Sequence, residues 1–105
     1  MNEARVDAHL DGDTVQVALA GDVDLSNAHL VRAELDAAIP NHVVGVDLDL
    51  GAVTYIDSSG LQVLFALSVQ LRRLQIELLI TAPPRSPARH AIEMAGMTSI
   101  ARIAP

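Results

Sequence analysis

A strand pattern and a helix pattern meet across a short junction near the middle of this chain, and that meeting restricts which folds are open to it. Val44, Val46, Leu48 and Leu50 alternate with Gly45, Asp47 and Asp49, the period of a half-buried strand. From Leu61 onward, Leu61, Leu64, Phe65, Leu67, Leu71 and Leu74 recur at the three- and four-residue spacing of one helix face. Asp57-Ser58-Ser59-Gly60 therefore opens a helix directly after a strand. Free backbone N–H groups and the positive end of the helix dipole converge at such a place, which suits carboxylates, hydroxyls and phosphoryl groups. Two adjacent hydroxyls beside an acid indicate either a helix cap or a regulated serine.

The rest of the chain extends this alternation. Val6, Ala8 and Leu10 alternate, Asp11-Gly12 supplies a turn, and Val15, Val17 and Leu19 alternate again, predicting an antiparallel pair. Gly21-Asp22-Val23-Asp24 reads as a turn-like connection. Ser26 or Asn27 then caps a helix reaching about Ile39, with Leu30, Val31, Leu35, Ala38 and Ile39 inward and Pro40-Asn41 as its stop. A strand from Val43 to Leu50 precedes the serine junction and the helix to about Leu74. Ile76, Leu78 and Ile80 predict another strand, closed by Pro83-Pro84. Ser86-Pro87 places a cap before a proline at the first helical position, and Ala95-Gly96 ends that helix. Thr98 to Ile103 reads as a final short strand. The order β-β-α-β-α-β-α-β predicts an α/β domain with a mixed sheet and helices packed on it.

Composition narrows the function. A chain of 105 residues, half of them apolar, is expected to form one domain spanning residues 1–105. Its net charge is −6 and all seven basic residues are scattered arginines, so nucleic acid and anionic membrane are not expected partners. The absence of cysteine removes disulfides, thiolate metal sites and thiol catalysis. Met1-Asn2-Glu3-Ala4-Arg5 carries no apolar signal region. Leu61 to Leu71, the longest apolar stretch, is too short and too polar to span a bilayer, so the expected location is cytoplasmic. A single tyrosine and a single phenylalanine give no stacking platform for bases or sugars.

Several chemistries fail on their spacing. A serine nucleophile elbow needs Gly-x-Ser-x-Gly, and Ile56 stands where the first glycine belongs. His9, His29, His42 and His90 lack the spacing of helical metal ligands, and no lysine exists to serve a phosphate loop. No metal, cofactor or catalytic residue is expected. Asp47 and Asp49 share one strand face and read as solvated. Met94 and Met97 read as core fillers of the last helix.

Asp49-Leu50-Gly51-Ala52-Val53-Thr54-Tyr55-Ile56-Asp57-Ser58-Ser59-Gly60-Leu61-Gln62-Val63-Leu64 closely resembles the signature of the STAS domain family, the sulfate-transporter and anti-sigma-factor-antagonist domains. Ala20-Gly21-Asp22-Val23-Asp24-Leu25 resembles the family's Gly-x-x-Asp turn, and Ile92-Glu93-Met94-Ala95-Gly96-Met97 its closing helix and glycine. The three blocks follow in the family's order and span nearly the whole chain. Gln62 departs from the pattern, where many members carry glycine.

With Asp57-Ser58-Ser59-Gly60 intact, the chain most resembles bacterial anti-sigma factor antagonists. That resemblance implies phosphorylation on Ser58 and a partner-binding surface of Asp24, Asp57, Ser58, Ser59, Gly60 and Leu61. It implies two partners, an anti-sigma factor that is also a serine kinase and a PP2C-type phosphatase. The unphosphorylated form would bind the anti-sigma factor and release the sigma factor, and phosphorylation would abolish binding. A phosphoryl group at a helix N-terminus is expected to be accommodated by backbone N–H groups, leaving the fold unchanged. Asp24 is expected beside the serine junction, either for recognition by the kinase or for capping the first helix. The competing readings are a non-phosphorylated STAS binding subunit of a transporter or lipid-transfer ABC complex, and a small Ser58 hydrolase for which no histidine base is placed.

Overall fold

In a computed structural model that describes residues 3–105, the alternating segments pair into one five-stranded sheet ordered β1-β2-β3-β4-β5. The elements run β1 (Arg5–Asp11), β2 (Thr14–Val23), α1 (Ala28–Ala38), β3 (Gly45–Ile56), α2 (Ser58–Arg73), β4 (Glu77–Thr81), α3 (Pro87–Met94) and β5 (Arg102–Ala104). Met1 and Asn2, part of the opening stretch read above for a signal region, lie outside the described residues. The order is the one the sequence predicts. Only the β1–β2 hairpin is antiparallel, since its two-residue turn at Gly12-Asp13 reverses the chain; each later strand is reached through a helix and runs parallel.

Register puts one apolar row across the sheet. Val15 pairs with Val46 and Val46 with Leu78, while Val17 pairs with Leu48 and Leu48 with Ile80. Residues paired side by side share a sheet face, and these are all buried. Val31 and Leu35 of α1, Leu64, Leu67 and Leu71 of α2, and Ala88 and Ile92 of α3 join the same cluster, so the helices cover that face. Gln16, Asp47 and Asp49 occupy the other face, which is only partly covered. Gln16 Nε2 donates to Asp47 Oδ2 at 2.8 Å, so that aspartate is hydrogen-bonded as well as wetted.

Two strands are longer than the sequence pattern predicts. β2 continues through Gly21 to Val23, where a turn was expected, because its inward alternation of Val15, Val17, Leu19, Gly21 and Val23 never breaks. β3 continues from Leu50 to Ile56. Register shifts between Ala18 and Ala20 and between Gly21 and Asp22 insert extra β3 residues, and each bulge advances the phase. The buried residues therefore move from Val46, Leu48 and Leu50 to Val53 and Ile56.

Other expectations need correcting. Leu30, Phe65, Leu74 and Met94 are exposed rather than inward, and Met94 is not a core filler; Met97, at the edge of the core, is partly buried. The final strand is the shorter Arg102–Ala104, because residues 98–100 form a turn closed by Ile100 N–H donating to the Met97 carbonyl at 3.2 Å. Neither Ser26 nor Asn27 caps α1 through its side chain. Ser86, by contrast, caps α3 as expected, accepting from the Arg89 N–H at 3.2 Å.

Gly21 lies at φ +89, and a Cβ built there would sit 2.1 Å from the Glu3 carbonyl oxygen. Both the backbone conformation and the approach of Glu3 and Ala4, just ahead of β1, require glycine. Gly21→Ala should lower unfolding stability by roughly 2 kcal/mol or more in chemical denaturation. Gly12→Ala, at a positive φ but in open space, should cost less.

Candidate functional site

The parallel pairing of β2 and β3 runs to Val23 and Ile56, so the next residues of both strands leave the same end of the sheet. Parallel sheets commonly hold their sites beyond the carboxyl ends of their strands. The two connections meet there: Asp57 N–H donates to the Val23 carbonyl at 3.2 Å. The expectation that the Asp24 loop lies beside the serine junction is met.

Asp57 joins the two connections. Its Oδ1 accepts from the Ser59 N–H at 2.9 Å and the Gly60 N–H at 3.1 Å, capping α2. Its Oδ2 accepts from the Leu25 N–H of the other loop at 3.2 Å. One half-buried carboxylate thus fixes both the start of α2 and the loop ahead of α1. The N-cap of α2 is therefore the acid and neither serine. This also alters one expectation: the Ser59 and Gly60 N–H groups already serve Asp57 and are not free to accommodate a phosphoryl group.

The facing loop is held by its own polar groups. Asp24 Oδ1 accepts from the Ser26 N–H at 2.9 Å and from the Ser26 hydroxyl, forming an aspartate turn. Asn27 turns its side chain back, with Oδ1 accepting from the Asp24 N–H at 3.0 Å and Nδ2 donating to the Asp22 carbonyl at 2.8 Å. Asp24 meets α1 through its carbonyl, which accepts from the Ala28 N–H at 2.8 Å. Side-chain capping of α1 by Asp24 is thereby replaced by a local turn. Asp22 accepts from the Thr54 hydroxyl across the β2–β3 pair.

Gly60 sets how closely α2 approaches the sheet. A Cβ there would lie 2.6 Å from Ile56 Cγ1 and 3.0 Å from the Val23 carbonyl oxygen. The glycine is buried and belongs to the packing of the junction rather than to its outer surface. Ser58, two residues earlier, is exposed, while Ser59 is half-buried. Among the described residues, no hydrogen bond engages the Ser58 hydroxyl and no arginine forms an ion pair with Asp22, Asp24 or Asp57.

Two depressions flank the junction. On one side Ser58, Leu61, Gln62, Phe65, Ala95 and Met97 line an apolar groove of about 260 Å³ between α2 and the end of α3. On the other, a cleft of about 360 Å³ is lined by Glu3, Asp22, Asp24 and Glu34 among others. The structure brings together Asp24, Asp57, Ser58, Ser59, Gly60 and Leu61. Asp22 comes with Asp24, as expected of their shared segment, and the structure adds Leu25, Asn27, Phe65 and Met97, which the sequence reading did not place here. The four histidines are exposed and spread over separate elements, and no cluster of metal-binding side chains occurs among the described residues.

The family model described as STAS domain matches residues 5–105. A relative from Bordetella bronchiseptica, BtrV, described as a candidate anti-sigma factor antagonist, is 37% identical over 86 residues, covering 82% of this chain and 73% of BtrV. Among solved structures, an anti-sigma factor antagonist from Mycobacterium paratuberculosis superposes with a TM-score of 0.85 at 20% identity, covering 98% of this chain and 86% of that one. SpoIIAA, a Bacillus cell fate determinant solved in its phosphorylated form, gives a TM-score of 0.68 at 18% identity, covering 98% and 92% of the two chains. At those identities the two structures establish the fold.

Asp57→Ala should remove the α2 cap and release the Leu25 loop together, lowering stability by about 1–2 kcal/mol in denaturant melts. Amide exchange at Ser59, Gly60 and Leu25 should accelerate as a group. Asp57→Asn keeps an acceptor oxygen and should lose less.

Proposed function

We propose that this chain, which belongs to the STAS domain family, acts as an anti-sigma factor antagonist in a partner-switching pathway, with Ser58 as its phosphoacceptor. In this reading the unphosphorylated form binds an anti-sigma factor that is also a serine kinase, and the sigma factor is released. The kinase transfers the terminal phosphoryl group of ATP to Ser58 Oγ, and a PP2C-type phosphatase hydrolyses it. The protein itself acts by binding rather than catalysis, in the cytoplasm.

The observation that carries this reading is the contrast between the two serines. Ser58 is exposed with its hydroxyl unengaged, directly after an aspartate that holds the local backbone. Ser59 is half-buried, and its N–H is committed to the Asp57 cap. A protein kinase needs a hydroxyl presented on a defined, accessible backbone, and Ser58 offers that. The likeness to BtrV supports the same reading.

A phosphoryl group adds about −1.5 to −2 charges. On Ser58 it would stand beside Asp57 and across from Asp24 and Asp22, with the nearby Ser59 and Gly60 N–H donors already occupied. The modification therefore changes the surface far more than the fold. A partner surface formed against a neutral hydroxyl would meet a concentrated negative charge.

Incubation with ATP and each ATPase-type anti-sigma kinase of the source organism, followed by intact mass measurement and phosphopeptide mapping, tests the assignment. One phosphoryl group on Ser58 is expected; finding it on Ser59, Thr54 or Ser86 overturns the site. No incorporation with any of these kinases favours a docking subunit of a transporter instead. Ser58→Ala should keep binding and lose regulation, whereas Ser58→Asp should weaken binding, though less than phosphorylation does. Calorimetry showing both variants bound like wild type would exclude charge as the switch.

Asp24 separates into two roles under Asp24→Asn. Asparagine can keep the acceptor of the Ser26 turn, so melting should not change. Slower phosphorylation or weaker binding would then assign the charge to kinase recognition. Unchanged kinetics would leave Asp24 as a turn former.

A further inference from the structure

An apolar groove borders Ser58, where a partner would cover it. Phe65, the one phenylalanine of the chain, is 53% exposed and Met94 is 75% exposed, each off the buried face of its helix. Phe65 lines the groove between α2 and the end of α3 together with Leu61, Ala95 and Met97, and Ser58 and Gln62 close its rim. Among the described residues no charged side chain lines it. In a chain of net charge −6 this is a neutral, apolar depression.

The cleft beside the Leu25 loop adds acids to an apolar floor that includes Leu30 and Val31. Asp22, Asp24 and Glu34 line the second cleft, and none of them pairs with an arginine among the described residues. The Asp57–Leu25 hydrogen bond holds the two sides in one fixed relation.

From this arrangement the geometry points to a bipartite docking surface with Ser58 on its seam. The occupant is a segment of the anti-sigma partner. It carries an apolar anchor side chain that fills the Leu61–Phe65–Met97 groove and an arginine or lysine that faces the Asp24–Glu34 cleft. The inference rests on the anti-sigma antagonist reading above and specifies its partner chemistry. The apolar half supplies affinity, as buried anchors in pockets generally do, and the charged half supplies orientation and association rate. The seam position also gives phosphorylation its leverage. A dianion on Ser58 would sit on the rim of a depression that the partner dries, so binding would require stripping water from it.

Binding of the kinase that phosphorylates the wild-type chain, measured by calorimetry at two salt concentrations, tests this. Phe65→Ala and Met97→Ala should each weaken binding about tenfold or more at both salts, whereas Leu10→Ala, exposed on β1, should not. Glu34→Gln should reduce the salt dependence with a smaller loss of affinity. Raising salt should not restore binding to the phosphorylated chain, since removing water from a buried dianion is little affected by screening. Wild-type affinity in both groove variants, with phosphorylation still abolishing binding, overturns the bipartite surface while leaving the Ser58 switch standing. A change of oligomeric state in Phe65→Ala by sedimentation, with kinase binding unchanged, assigns the groove to a second copy and also overturns it. If no kinase binds or phosphorylates the wild-type chain, the antagonist reading itself has failed.

Discussion

The parallel pairing of β2 with β3 organises everything functional in this molecule. Because it persists to Val23 and Ile56, two loops distant in sequence leave the sheet side by side. Gly60 then lets α2 start almost in contact with the end of β2, where any side chain would meet Ile56 and the Val23 carbonyl. Asp57 completes the arrangement by spending its two oxygens on different loops. An aspartate at this position does more than cap a helix. It makes the position of the Asp24 loop depend on the position of the α2 N-terminus.

That division of labour explains why the neighbouring serine is free. If Ser58 were the helix cap, its hydroxyl would be held by backbone N–H groups, and modifying it would destabilise α2. With the cap assigned to Asp57, Ser58 sits at the first helical position with no structural duty. A modification there would change the outer surface while leaving the α2 cap in place. The fold and the exposed hydroxyl are thus compatible for a physical reason, independent of any likeness to other proteins.

Most of the fold was legible because its elements follow their periods cleanly. Val15, Val17, Leu19, Val46, Leu48 and Leu50 alternate inward as read, and Ser86-Pro87 opens α3 as its chemistry predicts. What was missed has definite causes. The second half of β3 is hidden because two bulges shift its phase, and no period-two search survives a phase shift. Gly21-Asp22 resembles a turn locally, yet Val23 carries the β2 alternation onward and could have revealed the strand. Phe65 fits the helix period well but lies just outside the arc that faces the sheet, and periodicity does not fix where that arc ends. At the junction, the residues contributed by the α2 start were readable. Leu25 and Asn27 were not, because their roles arise from hydrogen bonds to groups brought near only by the sheet.

Magnitudes decide how a single phosphoryl group could switch binding off. Two unit charges at 4 Å interact by only about 1 kcal/mol in bulk water, and exposed pairs typically contribute less than that. A hundredfold loss of affinity takes roughly 2.7 kcal/mol. Repulsion between Ser58 phosphate and a solvated partner surface is therefore too weak to act alone. Removing water from a charge on entering an interface costs several kcal/mol per ion unless a compensating cation is supplied. Among the described residues no arginine is ion-paired with Asp22, Asp24 or Asp57, and the ion pairs that do form lie on Asp36, Glu93 and Glu77. An effective switch on Ser58 thus requires that the partner cover the serine rather than merely approach it, and the apolar groove on its rim is what makes such coverage favourable while the hydroxyl is neutral.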